Sequence, residues 1–505
     1  MTNSQATGIS QNPRFWLWVA LLLLPFMPSH DSLWIDEGDT AMYAVLPGFG
    51  AWWHHLRLDE AADCQMPLSM LFAWIGGKLL GVSEWQMRAV NLLWGIFAVA
   101  GMYRVGRRLE LPWLPLLLAI QPYFWFYMNE ARGYALEIAC GTWLLVAFVE
   151  FLQLRAAGTS WAWLLVVSVL FLFLSTLLAP VPVAAVVVAG VITAVRNGWR
   201  PDRKAWLILL TGGAANLPTA IYYLSTLLRG VKSAMVWKVN LTVFGYVLYE
   251  LTGMSGLGLP IAEIRTLAKS SQGLNALTAD WLHFVLPAAG FFLLLAVIIL
   301  GLGRRADANP PGVCEGLAIV VGLTACAFVV ASVVFQKALW ARHLAPVFPF
   351  YVSLLGLAIA SLLKTRNRVL KGMLCLLVGL LFFSALNLRL APSWRKDDYR
   401  SAAAFANDAL ARGHSVWWDA ADCGAIYYHV PLTTNPDSAK AAYLLTNPTR
   451  ESIASVALPD VIVASKPDLF DSRGTVAEIA AQRDYKKVAV LPAFVIWEKA
   501  DHQTP

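Results

Sequence analysis

Long apolar runs leave this chain few ways to fold. They recur along most of its length, at 15–29, 84–104, 111–128, 134–154, 161–178, 180–195, 205–224, 281–302, 314–335, 343–363 and 369–390. Each approaches the ~20 residues that a helix needs to cross a bilayer. Inside a bilayer no water satisfies backbone N–H and C=O groups, so such runs must be helical. Only 14% of the residues are charged, against roughly a quarter in soluble domains. Mean hydropathy is +0.58. The sequence therefore predicts a polytopic α-helical membrane protein with about 11 transmembrane helices.

The net charge of +7 is not a nucleic-acid footprint. Its clusters are Arg104/Arg107/Arg108, Arg196/Arg200/Arg203/Lys204, Arg304/Arg305 and Lys364/Arg366/Arg368/Lys371, each in a short gap between apolar runs. With the N-terminus in the cytoplasm, all four fall on the cytoplasmic side, as the positive-inside rule asks. Only Arg14 precedes the first run and no small-x-small cleavage site follows it, which favours an uncleaved first helix. The 22 Trp and 15 Tyr suit two lipid–water interfaces. Cys140, Cys326 and Cys375 lie inside apolar runs, where free Cys acts as a small hydrophobe. No CxxC or His/Cys spacing points to zinc. Whether Cys64 and Cys423 pair is open from sequence.

This topology leaves three longer segments outside: 30–83, 225–280 and everything from Pro392. Within the first, Pro67 to Leu80 is apolar but short and carries Gly76, Gly77 and Lys78. It reads as a helix lying at the interface, with a re-entrant segment as the alternative. After residue 391 the character changes. Asp397 to Arg412 reads as an amphipathic helix, and Ser415 to Trp418, Asp460 to Ala464 and Lys487 to Leu491 read as short strands. The expected division is a transmembrane module over 1–391 and a small external, periplasmic α/β domain over 392–505. No internal repeat is visible, which weakens the case for an inverted-repeat transporter.

Four motifs on the expected outer face could carry chemistry. Trp34-Ile35-Asp36-Glu37-Gly38 puts two carboxylates just beyond the first apolar run. A half-buried carboxylate can act as a general base towards a hydroxyl, but acids also suit the first turn of a helix. Asp63-Cys64-Gln65-Met66-Pro67-Leu68 reads as a helix start, with Pro67 in the first turn and Asp63 as its cap. Asn129-Glu130-Ala131-Arg132-Gly133-Tyr134 fills a tight turn, where Glu130 and Arg132 either pair with each other or reach a phosphate or sugar. Gln336 to His343, containing Lys337, Arg342 and His343, is either an interface anchor or a phosphate clamp. Arg229, Lys232 and Lys238 add outer-face positive charge that the positive-inside rule does not require.

In their order these motifs resemble the GT-C class of membrane glycosyltransferases, near the protein O-mannosyltransferase, aminoarabinose transferase and rhizobial lipopolysaccharide transferase families. Trp34-Ile35-Asp36-Glu37 is similar to the acidic pair those families carry after the first helix. Asp63…Pro67-Leu68 is similar to their Asp and Pro-Leu segment. Gly81-Val82-Ser83-Glu84…Arg88…Gly106-Arg107-Arg108 and Glu130-Ala131-Arg132-Gly133-Tyr134-Ala135-Leu136 follow in the same order, and Arg342 resembles a later Arg heading a Pro-bearing helix. The match is dense over 30–140 and thin beyond. Where the families often have His-Pro-Pro or Lys-Pro, this chain has Gln65-Met66-Pro67, which puts a donor or acceptor contact in doubt.

The resemblance implies a GT-C-like fold and a polyprenyl-phosphate-linked sugar as donor. The sugar would pass, usually with inversion, to a glycan, lipid or protein acceptor on the outer face of a membrane, in a bacterial inner membrane the periplasmic face. In this reading Asp36 takes the acceptor proton and Glu37 or Glu130 orients acceptor or donor. Arg132, Arg342 and Arg229 or Lys232 stabilise the leaving phosphate, as preorganised cations do for a developing anion. Asp63, Tyr134, Lys337 and His343 complete the expected substrate-binding set. Some relatives use a divalent cation and others do not. The sugar and the acceptor are not legible. Two other readings compete: a transporter or flippase of lipid-linked saccharide, and a non-catalytic assembly subunit with the same fold. Transporters usually carry ionisable residues within their spans, and here Glu137 and Glu150 are the main ones.

Overall fold

Apolar runs become helices throughout the computed structural model, which describes residues 12–58, 62–230, 241–260, 263–264, 281–304, 312–336, 340–436, 440–454 and 456–500. In chain order the helices used below are α1 (Pro13–Leu23), α2 (Ile35–Val45), α3 (Phe49–Leu58), α4 (Pro67–Leu79), α5 (Glu84–Arg108), α6 (Leu114–Ala119), α7 (Pro122–Met128), α8 (Tyr134–Gln153), α9 (Ser160–Ser175), α10 (Pro180–Asn197), α11 (Arg203–Ala215), α12 (Leu217–Gly230), α13 (Leu241–Leu251), α14 (Leu282–Gly303), α15 (Val313–Phe335), α16 (Phe348–Leu363), α17 (Arg368–Leu390), α18 (Tyr399–Ala411), α19 (Asp422–Tyr427), α20 (Arg450–Ala454), α21 (Pro467–Phe470) and α22 (Thr475–Gln482). Contacts group the chain into two bodies. One holds Met1–Ser29, Gly50–Phe72 and Arg88–Trp394; the other holds His30–Phe49, Ala73–Met87 and Arg395–Pro505.

The first body is helical. Among the described residues, seven helical stretches are long and apolar enough to cross a membrane: α5, α8, α10, Arg203–Thr226, α14, α15 and α17. Three shorter apolar helices accompany them, at Pro13–Phe26, Ser160–Ser175 and Phe348–Leu363. The protein is an integral membrane protein. Two expected spans are not single helices: the 205–224 run is divided between α11 and α12 at Asn216, and the 111–128 run forms α6 and α7, broken at Ile120–Gln121. The cause of the latter break is Pro122, which lacks an N–H and pushes the preceding residue out of the helical region. Gln121 is accordingly extended, at φ −72° and ψ 127°. The run expected from 343 likewise becomes helical only at Phe348, after a separate turn over Ala341–Leu344.

Burial separates the centre of this body from its rim. In α8 the apolar window is 94% buried, whereas α10, α14, α15 and α17 stand between 28% and 33%. α8 is therefore the central helix, with Ile138, Leu144, Leu145, Phe148 and Val149 in the core beside Phe348, Phe350 and Leu355 of α16. The outer helices keep Val191, Phe292, Val330 and Phe383 exposed. In a bilayer these side chains meet lipid tails, so their exposure carries no penalty of the kind it has in water.

The second body is built on a six-stranded sheet of order β2-β3-β1-β4-β6-β5. Its strands are β1 (Val416–Asp419), β2 (Leu432–Thr433), β3 (Ala442–Leu444), β4 (Val461–Ser465), β5 (Tyr485–Leu491) and β6 (Phe494–Lys499). The first four positions in that order pair in parallel, and β5 and β6 form an antiparallel hairpin against β4. Every residue of β1 and β4 is buried, as central strands covered on both faces must be. Alternation divides their side chains. Trp418, Val461 and Val463 join Tyr399, Ala402 and Ala406 of α18, while Trp417, Ile462 and Ala464 join Ile453, Val476 and Ala480.

The expected helix over 397–412 is α18, capped by Asp398, whose Oδ1 accepts from the Ser401 N–H at 3.0 Å. The three expected strands are β1, β4 and β5, while β2, β3 and β6 had no clear sequence signal. The grouping by contacts runs differently from a cut at 391/392. Ile35 and Met42 of α2 pack on the cluster around Tyr399 and Trp418, so the acidic segment after the first apolar run folds with the C-terminal sheet.

Candidate functional site

In the helical body, two short turns bring the first charged groups together. Ala62–Gln65 is a single 3-10 turn ahead of α4. Its carbonyls are held from two sides: Tyr222 Oη donates to Cys64 O at 2.7 Å and Tyr223 Oη to Gln65 O at 3.1 Å, while Leu177 N also donates to Gln65 O at 3.1 Å. The second turn, 129–133, joins α7 to α8. Asn91 of α5 fixes it by donating to Met128 O at 3.3 Å and Glu130 O at 2.5 Å. Asn129 Oδ1 accepts from Ser29 N at 2.7 Å. A Cβ at Gly133 would fall on Ser69 Oγ, so only glycine lets this turn sit against the start of α4.

Across these turns Arg132 Nη1 forms an ion pair with Asp63 Oδ1. Both residues are buried, Asp63 at 2% exposure and Arg132 at 7%. The sequence offered Glu130 as a partner of Arg132 and a capping role for Asp63; the structure pairs Arg132 with Asp63, because the turn ahead of α4 and the turn ahead of α8 meet. A buried pair of this kind is weak evidence for stability, because desolvating both charges offsets much of their attraction.

More charge converges on the same region. Arg132 and Arg342 are the two cations whose fields act on the buried Glu137, one turn into α8. The fields of Glu250, Glu137 and Glu130 reach Tyr123. Tyr123 donates to Ala341 O at 2.7 Å and stacks on Phe348 at 4.3 Å, which ties the Arg342 turn to α7. Tyr127 packs edge-on against Tyr134 at 5.0 Å. His343 uses Nδ1 to accept from Trp340 N at 2.9 Å, closing its own turn. That nitrogen is thereby committed to the backbone, whatever the other does. Asp63, Glu130, Arg132, Tyr134, Arg342 and His343 are thus all in this body, and the structure brings Asp63 to Arg132, while the charges of both arginines act on Glu137.

Two acids here were not chosen from sequence. Glu137 was visible only as one of two charges inside a span, and Glu250 had no motif around it. The other in-span acid, Glu150, is different: Arg104 Nε donates to it at 2.8 Å, and Arg108 lies 3.7 Å away.

Asp36 and Glu37 belong to the second body, at the start of α2. Glu37 is fully buried and Asp36 half-buried. Glu37 pairs with Lys396 at 2.9 Å. Nearby, burial followed by the charge of Asp39 pushes the Cys423 thiol far above its ordinary range, so it is no thiolate nucleophile. Cys64 and Cys423 are both free thiols. Arg229 lies in the last turn of α12, where only the backbone is described, and Lys232, Lys238 and Lys337 lie outside the described residues. Among the described residues no three His, Cys, Asp or Glu side chains are grouped to hold a metal ion.

No family model matches this chain, and no curated protein matches it in sequence. Solved structures do. ArnT from Cupriavidus metallidurans in the apo state superimposes with a TM-score of 0.54 at 14% identity, covering 96% of this chain and 97% of that one. The same protein bound to undecaprenyl phosphate gives 0.52 at 14% identity, covering 97% and 99%. The arabinofuranosyltransferase AftD from mycobacteria gives 0.45, with 39% of its chain covered. The fold is therefore that of the GT-C class of membrane glycosyltransferases, from one end of the chain to the other.

Proposed function

We propose that this protein transfers a sugar from a polyprenyl-phosphate donor to a cell-envelope glycan, lipid or protein acceptor. The observation that carries this reading is the buried Asp63–Arg132 ion pair, with the charges of Arg132 and the half-buried Arg342 both acting on the buried Glu137, in a chain whose fold matches ArnT over 97% of its length. Phosphate is the group such an arrangement would serve. As the glycosidic bond breaks, negative charge grows on the leaving phosphate, and guanidinium groups already fixed and desolvated lower the barrier without reorganising. Asp63 holds Arg132 in place for that task. ArnT has been solved with undecaprenyl phosphate bound, which supports a lipid phosphate as the ligand class here.

In this reading Asp36 is the base towards the acceptor hydroxyl and inversion follows from direct attack. Tyr134 and Glu130 line the donor site, and Arg229, Lys232, Lys337 and His343 add contacts to donor or acceptor. The reading carries with it the topology proposed from sequence: about 11 spans, the N-terminus in the cytoplasm, and the chemistry on the periplasmic face of an inner membrane. The C-terminal α/β domain from 392 serves acceptor choice. Transport of a lipid-linked saccharide has less support, because Glu150 is paired with arginines at a helix end rather than placed on an ion path.

The test is donor turnover in lipid nanodiscs, read as polyprenyl phosphate released from undecaprenyl-phosphate-linked sugars with glycan, lipid and peptide acceptors. Arg132→Ala and Arg342→Ala should each lower kcat by about 100-fold or more, the scale of one lost transition-state donor. Intact donor under every acceptor, or full turnover by both variants, would sink the proposal.

A further inference from the structure

The acidic motif is not a loop that leaves the membrane and waits for substrate. Ser32, Leu33, Trp34, Ile35, Glu37 and Gly38 each touch the C-terminal α/β body. Tyr428, just past α19, has its hydroxyl 3.1 Å from Ser32 Oγ and accepts from the Leu33 N–H at 3.0 Å. Arg400 N donates to Ser32 Oγ at 3.1 Å. Lys466 Nζ stands 5.4 Å over the Trp34 ring and pairs with Asp397 at 2.5 Å. Cys423 Sγ donates to Ile35 O at 3.4 Å. A Cβ at Gly38 would stand 3.0 Å from that same sulfur, against backbone of Gly424 as well. Glycine at this place in the motif is what lets α2 lie on α19.

Glu37 is the centre of this arrangement. It has 0% exposure. One carboxylate oxygen accepts from Trp34 N at 3.3 Å, closing the first turn of α2 as a capping box does. The other lies 2.9 Å from Lys396 Nζ, whose side chain is 11% exposed. A carboxylate this deeply buried needs a paired cation to remain ionised. Its neighbour Asp36 points about 100° round the helix and stays half-buried. Holding Glu37 inward therefore fixes where Asp36 points.

We propose that Lys396 is a positioning residue: through its buried pair with Glu37 it sets the orientation of Asp36, so that the C-terminal α/β domain governs the acid motif. This rests on the reading of Asp36 as the base. It recasts Glu37 as a structural anchor rather than a substrate contact. Lys396 itself touches no reacting atom. Its neighbour Asp397, paired with Lys466, continues the same charged network.

The experiment uses the full chain in lipid nanodiscs and two independent readouts. Hydrogen exchange of residues 32–38 should rise by about tenfold or more in Lys396→Met while exchange in α8 and α16 stays as in wild type. Turnover of an undecaprenyl-phosphate-linked sugar should show kcat down about tenfold or more in Lys396→Met with the donor KM unchanged. Lys396→Arg should recover most of both, and the exchanged pair Glu37→Lys/Lys396→Glu should recover more than either single change. Unchanged exchange and kcat in Lys396→Met would overturn the proposal, as would a loss that follows global unfolding and is not recovered by Lys396→Arg. A wild type that releases no polyprenyl phosphate would sink the glycosyltransferase reading instead, and the exchange arm would still decide whether Lys396 holds the turn.

Discussion

Two acids in the helical body, Asp63 and Glu150, are almost equally buried and both pair with arginine. Their partners differ. The Arg132 side chain is 4% exposed, whereas those of Arg104 and Arg108 are 42% and 46% exposed. Glu150 neutralises a basic cluster that the positive-inside rule places at helix ends, and its arginines keep much of their hydration. Asp63 and Arg132 have lost theirs, and the charges of Arg132 and Arg342 both act on the buried Glu137. Burial of the acid alone does not distinguish a site from a staple. What distinguishes them is whether the cation too has been desolvated, with further charge converging on it.

The sharpest way to break this contrast is to remove one cation from each pair. Arg132→Ala should abolish most donor turnover, about 100-fold or more in kcat, and cost about 3 kcal/mol or more of stability by breaking the buried pair with Asp63. Asp63→Asn separates the two effects. It keeps Arg132 but loosens it, so kcat should fall by about tenfold with the helices still folded by circular dichroism. Equal turnover in Arg132→Ala and wild type would place the Asp63 pair in the same structural class as Glu150.

A smaller effect extends the comparison to an acid with no partner. Asp419, at the end of β1, is fully buried, and neither of its oxygens has a hydrogen-bond partner among the described residues. Burial, then the charge of Asp471, raises its carboxyl from 3.8 to about 7. The unfolded chain thus ionises at lower pH than the folded one. Stability from this group is fully present below about pH 4 and falls as the pH rises to 7. Asp419→Asn should therefore slow exchange of the β1 and β4 amides by about 1–3 kcal/mol at pH 8 and change it little at pH 4. A gain equal at both pH values would contradict the assignment.

Glu150→Gln should cost about 1 kcal/mol or less in thermal stability, since Arg104 and Arg108 can turn to water, and should leave donor turnover unchanged. Tyr428→Phe should cost a similar amount, about 0.5–1.5 kcal/mol for its lost hydrogen bonds, measured as faster exchange at Ser32 and Leu33 with no change in α8.

Much of this was legible in the sequence for identifiable reasons. Helices within lipid need only local composition, so most of the expected runs appear as helices. The run at 111–128 failed because Pro122 acts on the one residue before it, a local signal outweighed by the apolar average around it. The strands β1, β4 and β5 were found, but β2 and β3, two and three residues long, were not: such strands exist only through their neighbours. Of the charged residues in the candidate site, Asp63, Arg132 and Arg342 were named through motif order, and the structure pairs the first two. Glu137 was set aside as an exception, and Glu250 and Lys396 had no motif to mark them.

By itself the sequence determined that the chain is a bundle of membrane helices followed by an α/β segment, because hydrophobic length and charge placement are one-dimensional properties. It also put acids and arginines on a short list. Only the tertiary structure decided which of them meet. It paired Arg132 with Asp63, set the charges of Arg132 and Arg342 to act on Glu137, and tied Glu37 to Lys396, hundreds of positions along the chain. Pairing of buried charge depends on which turns the helices and strands bring together in space, and no local pattern of residues encodes that.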